Sequence, residues 1–143
     1  MKARQTTARL LVSPQITTAD VAEAAHQKIR SIINNRPDGE APDQPTSAQI
    51  EAAAAEFGLA YRYIPVAPGQ FSDADITAFA SALAELEGPV LAFCRTGTRA
   101  VSLWALSESN DLTTKEILDT AREAGYDLAA LKPRLIIAQQ GGR

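Results

Sequence analysis

The stretch at residues 90–107, VLAFCRTGTRAVSLWALS, contains the clearest indication of the fold. Its opening run, VLAF at 90–93, is apolar and too short for a helix, which predicts a buried strand. Its closing run, AVSLWALS at 100–107, is apolar on nearly every side, which predicts a buried helix. The loop CRTGTR at 94–99 therefore joins a buried strand to a buried helix. A strand that leads into a helix in this way is typical of α/β proteins.

The rest of the chain repeats that alternation of strands and helices. Short apolar runs at residues 9–13, 29–34 and 59–66 predict three more strands. Capping residues followed by apolar positions at helical spacing predict four more helices, capped by Thr17 or Thr18, Thr46, Ser72 and Thr113. We predict an α/β three-layer sandwich with a central, mostly parallel sheet of about four strands. We expect a single domain over residues 1–143, with an ordered core at about residues 8–135 and a frayed tail from Ala138.

Length and composition are those of an ordinary globular domain. The chain has 143 residues, of which 45% are hydrophobic and 22% charged, which is enough for one core. A net charge of -3 provides no basic field for nucleic acid, and no apolar run reaches the roughly 18 residues of a membrane span. The first residues show no secretory signal, and a single cysteine suits the reducing cytoplasm. The lone cysteine also excludes a cysteine-only metal site, and we predict neither a metal nor a cofactor.

Cys94 lies where an α/β protein places its reactive groups. Ligands of an open parallel sheet bind beyond the carboxyl ends of the strands, and Cys94 directly follows a predicted central strand. The next residues lead into a helix N-terminus, where backbone N–H groups and the positive end of the helix dipole favour a thiolate. A lone cysteine at a strand end is most often a small buried hydrophobe. The pattern strand-Cys-x-x-Gly-x-Arg-helix favours a nucleophile, because each of its parts serves one geometry.

The other residues of the loop support this interpretation. Gly97 allows a backbone angle that other residues resist. Arg99 can close the loop around an oxyanion with its planar fork, so we predict it as a second catalytic residue. Thr96 and Thr98 can hydrogen-bond the thiolate or the loop itself, and Arg95 is expected to point outward and add positive potential at the mouth. We predict that the four residues between the cysteine and the second arginine bind the substrate.

Four separated motifs carry a resemblance to a known family. They are VSPQIT at 12–17, NNRPDGE at 34–40, CRTGTRA at 94–100 with LWA at 103–105, and AGYDL at 124–128. Together they resemble the phosphatase-like domain of the beta-lactamase-hydrolase-like proteins, whose active-site loop is similar to that of rhodaneses. The resemblance implies a bacterial protein with a dual-specificity-phosphatase-like fold and a small anionic or persulfide substrate. It also implies a metallo-beta-lactamase-fold persulfide dioxygenase as a partner, and either phosphatase or sulfurtransferase activity.

The spacing of the loop bears on the choice between sulfur and phosphate. Cysteine phosphatases resembling this chain use Cys-x5-Arg, whereas Arg99 comes one residue sooner and Ala100 takes the phosphatase position. Their general acid is an aspartate on an upstream loop, and the corresponding stretch at 64–70, IPVAPGQ, has no acid. We therefore expect a sulfurtransferase that carries a persulfide on Cys94, with a cysteine-dependent phosphatase as the alternative. A non-catalytic anion-binding module is a second alternative.

Four further residues are possible accessory groups of the site. Asp73 and Asp75 fall in the first turn of a predicted helix, where acids commonly complement the dipole. Asp38 is a third candidate acid, although turn formation explains it equally well. Arg36 can either reach an anionic substrate or pair with Asp38 or Glu40. The sequence leaves these alternatives open.

Overall fold

A mixed sheet forms the middle layer of the computed structural model, which describes residues 1–141. Its five strands stand in the order β1-β2-β5-β3-β4, and neighbours are parallel except for the antiparallel pair of β1 and β2. The strands are β1 (Arg4–Gln5), β2 (Leu10–Ser13), β3 (Ser31–Asn34), β4 (Ala60–Tyr63) and β5 (Val90–Phe93). Cys94 is therefore the first residue beyond the carboxyl end of the central strand.

Helices cover both faces of the sheet. They are α1 (Thr18–His26), α2 (Ser47–Glu56), α3 (Asp73–Glu85), α4 (Thr98–Ser107), α5 (Thr114–Glu123) and α6 (Lys132–Gly141), with a 3-10 turn at Ala129–Leu131 before α6. Buried residues of α1 and α2 form one core, and those of α3 to α6 form the other. The three-layer α/β architecture is confirmed.

Strand β5 supplies side chains to both cores. Val90 and Ala92 belong to the core beneath α3 to α6, whereas Leu91 and Phe93 belong to the core beneath α1 and α2. Successive side chains of a strand point to opposite faces, so a strand buried on both faces is apolar throughout. Trp104 of α4 is 1% exposed, in agreement with the buried helix predicted for residues 100–107.

The structure extends beyond the predicted ordered core at both ends. Strand β1 is a fifth strand that the sequence did not reveal, because its two residues are too few to show a period. The fraying predicted from Ala138 is wrong as far as Gly141, since α6 continues there. Leu135 is fully buried, and Gln139 accepts a 2.9 Å hydrogen bond from Thr114 and donates one of 2.8 Å to the Leu112 carbonyl. Residues 142–143 lie outside the described part. Within residues 1–141, no helix has the length and apolar character to span a membrane.

Candidate active site

The Cys94 loop is attached to the end of the neighbouring strand β2. The N–H of Cys94 donates to the Ser13 carbonyl at 3.4 Å, and the N–H of Gln15 donates to the Arg95 carbonyl at 3.2 Å. Cys94 itself is fully buried. The sequence motif at 12–17 thus packs against the loop. The adjacent parallel strands β2 and β5 position the thiol beyond the carboxyl ends of the strands.

Helix α4 begins without a side-chain cap. Its N-cap is Gly97, at φ 96°, whereas α1, α2, α3 and α5 each begin with a capping box. The N–H of Gly97 donates to the Sγ of Cys94 at 3.1 Å. Within residues 1–141, the N–H groups of Arg99 and Ala100 have no acceptor. Free donors at a helix N-terminus form a binding site for an anion.

The two threonines of the loop bond to each other. The hydroxyl of Thr96 donates to the hydroxyl oxygen of Thr98 at 3.0 Å, and the N–H of Thr98 donates to the Thr96 hydroxyl oxygen at 3.3 Å. The sequence left open whether these threonines bond to the thiolate or to the loop. In the structure they bond within the loop and stabilise it. Arg95 is exposed at the mouth, which is the outward position expected for it.

Gly97 is required for packing as well as for its backbone angle. A Cβ at this position would lie 2.1 Å from the hydroxyl oxygen of Tyr126. That hydroxyl donates to the Thr96 carbonyl at 3.3 Å, so Tyr126 lies against the loop from outside. Burial raises the pKa of the Tyr126 phenol, and the charge of Cys94 adds to the effect. No spacing of residues along the chain predicts this contact.

Arg99 is held in a fixed orientation by Glu40. Its Nη1 and Nη2 donate to the two carboxylate oxygens of Glu40, each at 2.8 Å, and Nη1 also donates to the Val66 carbonyl at 2.9 Å. The hydrogen bonds to Glu40 raise the pKa of Arg99, with a further contribution from Cys94. A bidentate pair fixes the plane of a guanidinium, and here it aligns Arg99 beside the thiol.

Glu40 also binds a second arginine, Arg36. Arg36 donates from Nε to Glu40 Oε1 at 2.9 Å and from Nη1 to Gln15 Oε1 at 3.1 Å. Arg36 thus pairs with Glu40 and not with Asp38. The hydrogen bonds from Arg99 lower the pKa of Glu40 from 4.5 to about 2, partial burial opposes the shift, and Arg36 adds to it. Glu40 is therefore ionised at neutral pH and has no proton to donate.

The three candidate acids have structural partners away from the thiol. Asp38 accepts a 2.7 Å hydrogen bond from the N–H of Ser47, the first residue of α2. Asp75 completes the capping box of α3 with Ser72, so the structural interpretation of this residue is confirmed. Asp73 is fully exposed and lies 3.9 Å from Arg134. The structure brings none of them into contact with Cys94. Among residues 1–141 there is also no cluster of three His, Cys, Asp or Glu side chains suited to a metal.

The comparison with protein families identifies the domain. Residues 2–111 match the model of the phosphatase-like domain of the beta-lactamase hydrolase-like proteins. The chain belongs to this family. A curated member from Agrobacterium fabrum (strain C58 / ATCC 33970), a beta-lactamase hydrolase-like protein, is 42% identical over 132 residues. That match covers 91% of this chain and 31% of the relative, so the chain spans less than a third of the relative's length.

Solved structures share the fold of this family domain. A candidate phosphatase from Neisseria meningitidis Z2491 matches with a TM-score of 0.88 and 35% identity, covering 96% of this chain and 99% of that one. The core catalytic domain of the PP-IP phosphatase SIW14 from S. cerevisiae matches with a TM-score of 0.70 and 14% identity, covering 96% and 84%. The second likeness shows the fold alone. The chain therefore has a cysteine-phosphatase-like fold, and the comparisons favour the phosphatase alternative over the expected sulfurtransferase.

Proposed function

We propose that this chain is a cysteine-dependent phosphatase of the beta-lactamase-hydrolase-like family. The observation that carries the proposal is the convergence on Cys94, where the Gly97 N–H lies 3.1 Å from Sγ and Arg99 occupies the same first turn of α4. The thiolate attacks phosphorus, the P–S bond forms as the ester P–O bond breaks, and water then hydrolyses the phosphocysteine. The N-terminal amides of α4 and the Nε of Arg99, whose two outer nitrogens bind Glu40, stabilise the charge of the transferred group.

The placement of the acids restricts the substrate of such a phosphatase. Asp38 and Asp75 accept hydrogen bonds that hold local structure, and Glu40 is ionised at neutral pH. None of these three carboxylates is therefore placed to protonate the leaving oxygen. We expect efficient cleavage only where the leaving group is weakly basic, as in an aryl phosphate with an electron-withdrawing ring.

Sulfur transfer is the second candidate, and the spacing of the loop favours it. The sequence Cys94-x4-Arg99 is one residue shorter than the phosphatase pattern, and sulfur transfer needs no strong acid. In this reaction the thiolate attacks the outer sulfur of thiosulfate, sulfite leaves, and cyanide then takes the sulfur from the persulfide as thiocyanate.

Three substrates distinguish the candidates. We expect hydrolysis of p-nitrophenyl phosphate to exceed both hydrolysis of a phosphotyrosine peptide and transfer of sulfur from thiosulfate to cyanide. Faster sulfur transfer would contradict the phosphatase proposal in favour of the second candidate. Binding of phosphate without turnover of any substrate would favour an anion-binding module. The Cys94→Ser variant is the control, because it removes both chemistries.

A protein partner of this domain is also proposed. The curated relative extends well beyond the matched region, and the resemblance implies a metallo-beta-lactamase-fold persulfide dioxygenase as the partner of this domain. Co-purification of the chain with such a protein from the same cell would support the proposal.

A further inference from the structure

A pocket of about 400 Å³ opens beside the Cys94 loop. One wall consists of loop residues, with Arg95, Thr96, Thr98 and Arg99 all contributing. A volume of roughly 300–1,000 Å³ is typical of small-molecule sites. A cavity of about 490 Å³ includes Arg9 and Glu108, but Arg9 precedes β2 and thus lies at the amino ends of the strands, away from the thiol.

Apolar residues provide most of the rest of the pocket lining, which we call the apolar wall. Phe71 comes from the segment before α3, Leu128 directly precedes the 3-10 turn, and Leu131 is the last residue of that turn. Phe71 and Leu131 are half-buried and pack at the margin of the main core. Each therefore keeps apolar surface open toward the pocket, and a ligand that covers this surface removes it from water.

Charge within the pocket is divided between its walls. Arg95 and Arg99 belong to the loop, whereas Asp127 lies two residues before the 3-10 turn and accepts a 2.9 Å hydrogen bond from the N–H of Ala129. Asp127 is the one carboxylate of this lining among residues 1–141. A ligand with its anionic group at the loop and an uncharged body against the 3-10 turn matches this distribution.

We propose that this pocket binds the uncharged apolar body of the substrate. The substrate class is then a small molecule that carries one anionic group on an aromatic or aliphatic body. The inference rests on the proposed function, because the loop must hold the reacting anion for the pocket to receive the rest of the molecule. Phe71 and Leu131 determine the specificity for that body.

Two stable anions test the pocket without any turnover. Phenylphosphonate and methylphosphonate carry the same head on different bodies, and their C–P bonds leave no ester to hydrolyse. We expect calorimetry at a pH where both are dianions to show about tenfold tighter binding of phenylphosphonate, since the ring loses contact with water. A third anion, 4-carboxyphenylphosphonate, should bind more weakly than phenylphosphonate, because its carboxylate meets the apolar wall and Asp127.

Two variants test whether the preference for phenylphosphonate arises in the pocket, and a third serves as the matched control. Phe71→Ala and Leu131→Ser should each reduce the preference for the phenyl body several-fold and leave methylphosphonate affinity unchanged, which also shows that the loop is intact. Phe57 is 44% exposed and directly follows α2, which covers the other face of the sheet, so Phe57→Ala should change neither affinity.

The outcomes separate the pocket from the proposed function. Equal affinities for the two phosphonates, or a preference that both pocket variants retain, would contradict binding of the apolar body in the pocket. Neither result would contradict the anion site at the loop. Failure of both phosphonates to bind would contradict the anion site and overturn the inference with it.

Discussion

Glu40 is the residue that gives Arg99 its orientation. The carboxylate joins two buried arginines of different segments, Arg99 of α4 and Arg36 of the loop after β3. Its side chain remains 22% exposed, so solvent screens part of the attraction. Arg99 binds Glu40 with the two outer nitrogens of its guanidinium, so in the proposed function Nε is the nitrogen that contacts the anion.

The pKa of Glu40 predicts a specific pH dependence of stability. Because its pKa is about 2 in the folded chain and ordinarily 4.5, the unfolded chain binds more protons as the pH falls. The stabilisation is therefore present above about pH 4.5 and is lost as the pH falls toward 2. Urea unfolding should show Glu40→Gln to be less stable than the original chain by roughly 1–2 kcal/mol at neutral pH, with the difference shrinking below pH 4.5.

A matched variant controls for the loss of a carboxylate. Glu56 is exposed at the end of α2, and Glu56→Gln should have little effect at any pH. If the stability difference for Glu40→Gln were independent of pH down to 2, the ion pairs of Glu40 with Arg99 and Arg36 would not contribute to stability as described.

Helix α4 differs from its neighbours in how it begins. The capping boxes of α1, α2, α3 and α5 satisfy their own N-terminal N–H groups, which stabilises those helices. At α4 the N-cap is Gly97, and its N–H donates to the Sγ of Cys94. A side-chain cap on this helix would occupy donors that the proposed function uses.

Gly97→Ala should damage the loop more than its backbone angle explains. Gly125 has the same φ of 96°, but a Cβ there would meet nothing within 4 Å, whereas one at Gly97 would collide with Tyr126. Both variants carry a strain of about 1 kcal/mol or more. We expect a larger loss of stability and of turnover for Gly97→Ala, measured by urea unfolding and by hydrolysis of p-nitrophenyl phosphate.

A double variant isolates the collision from the strain. Tyr126→Ala should restore part of the stability of Gly97→Ala and none of the stability of Gly125→Ala, as a double-mutant cycle would measure. Similar losses in the two glycine variants, with no rescue, would show that Tyr126 does not constrain the loop.

At the scale of the whole molecule, the elements with strong local signals were predictable. The apolar run at 90–93 is β5, and the predicted caps at Thr46, Ser72 and Thr113 begin α2, α3 and α5. Strand β1 and helix α6 were not predicted, since pairing with β2 stabilises the first and the contacts of Gln139 stabilise the second.

The candidate site was predictable only where one segment forms it. The position of Cys94 after a strand and before a helix follows from residues 90–107 alone. The ion pair between Arg99 and Glu40 joins residues 59 positions apart. Tyr126 lies 30 positions beyond Thr96, whose carbonyl it contacts. No periodicity of a single sequence encodes such pairs, because the fold brings them together. Glu40 appeared only as a partner for Arg36.

The proposed function requires that Cys94 carries the transferred group. The most direct test is the mass of the protein denatured rapidly during turnover of p-nitrophenyl phosphate, followed by peptide mapping. We predict one added phosphoryl group on the peptide that contains Cys94, and none on the Cys94→Ser variant, which should also be inactive. Turnover without any modification of Cys94, or activity that survives in Cys94→Ser, would contradict the account.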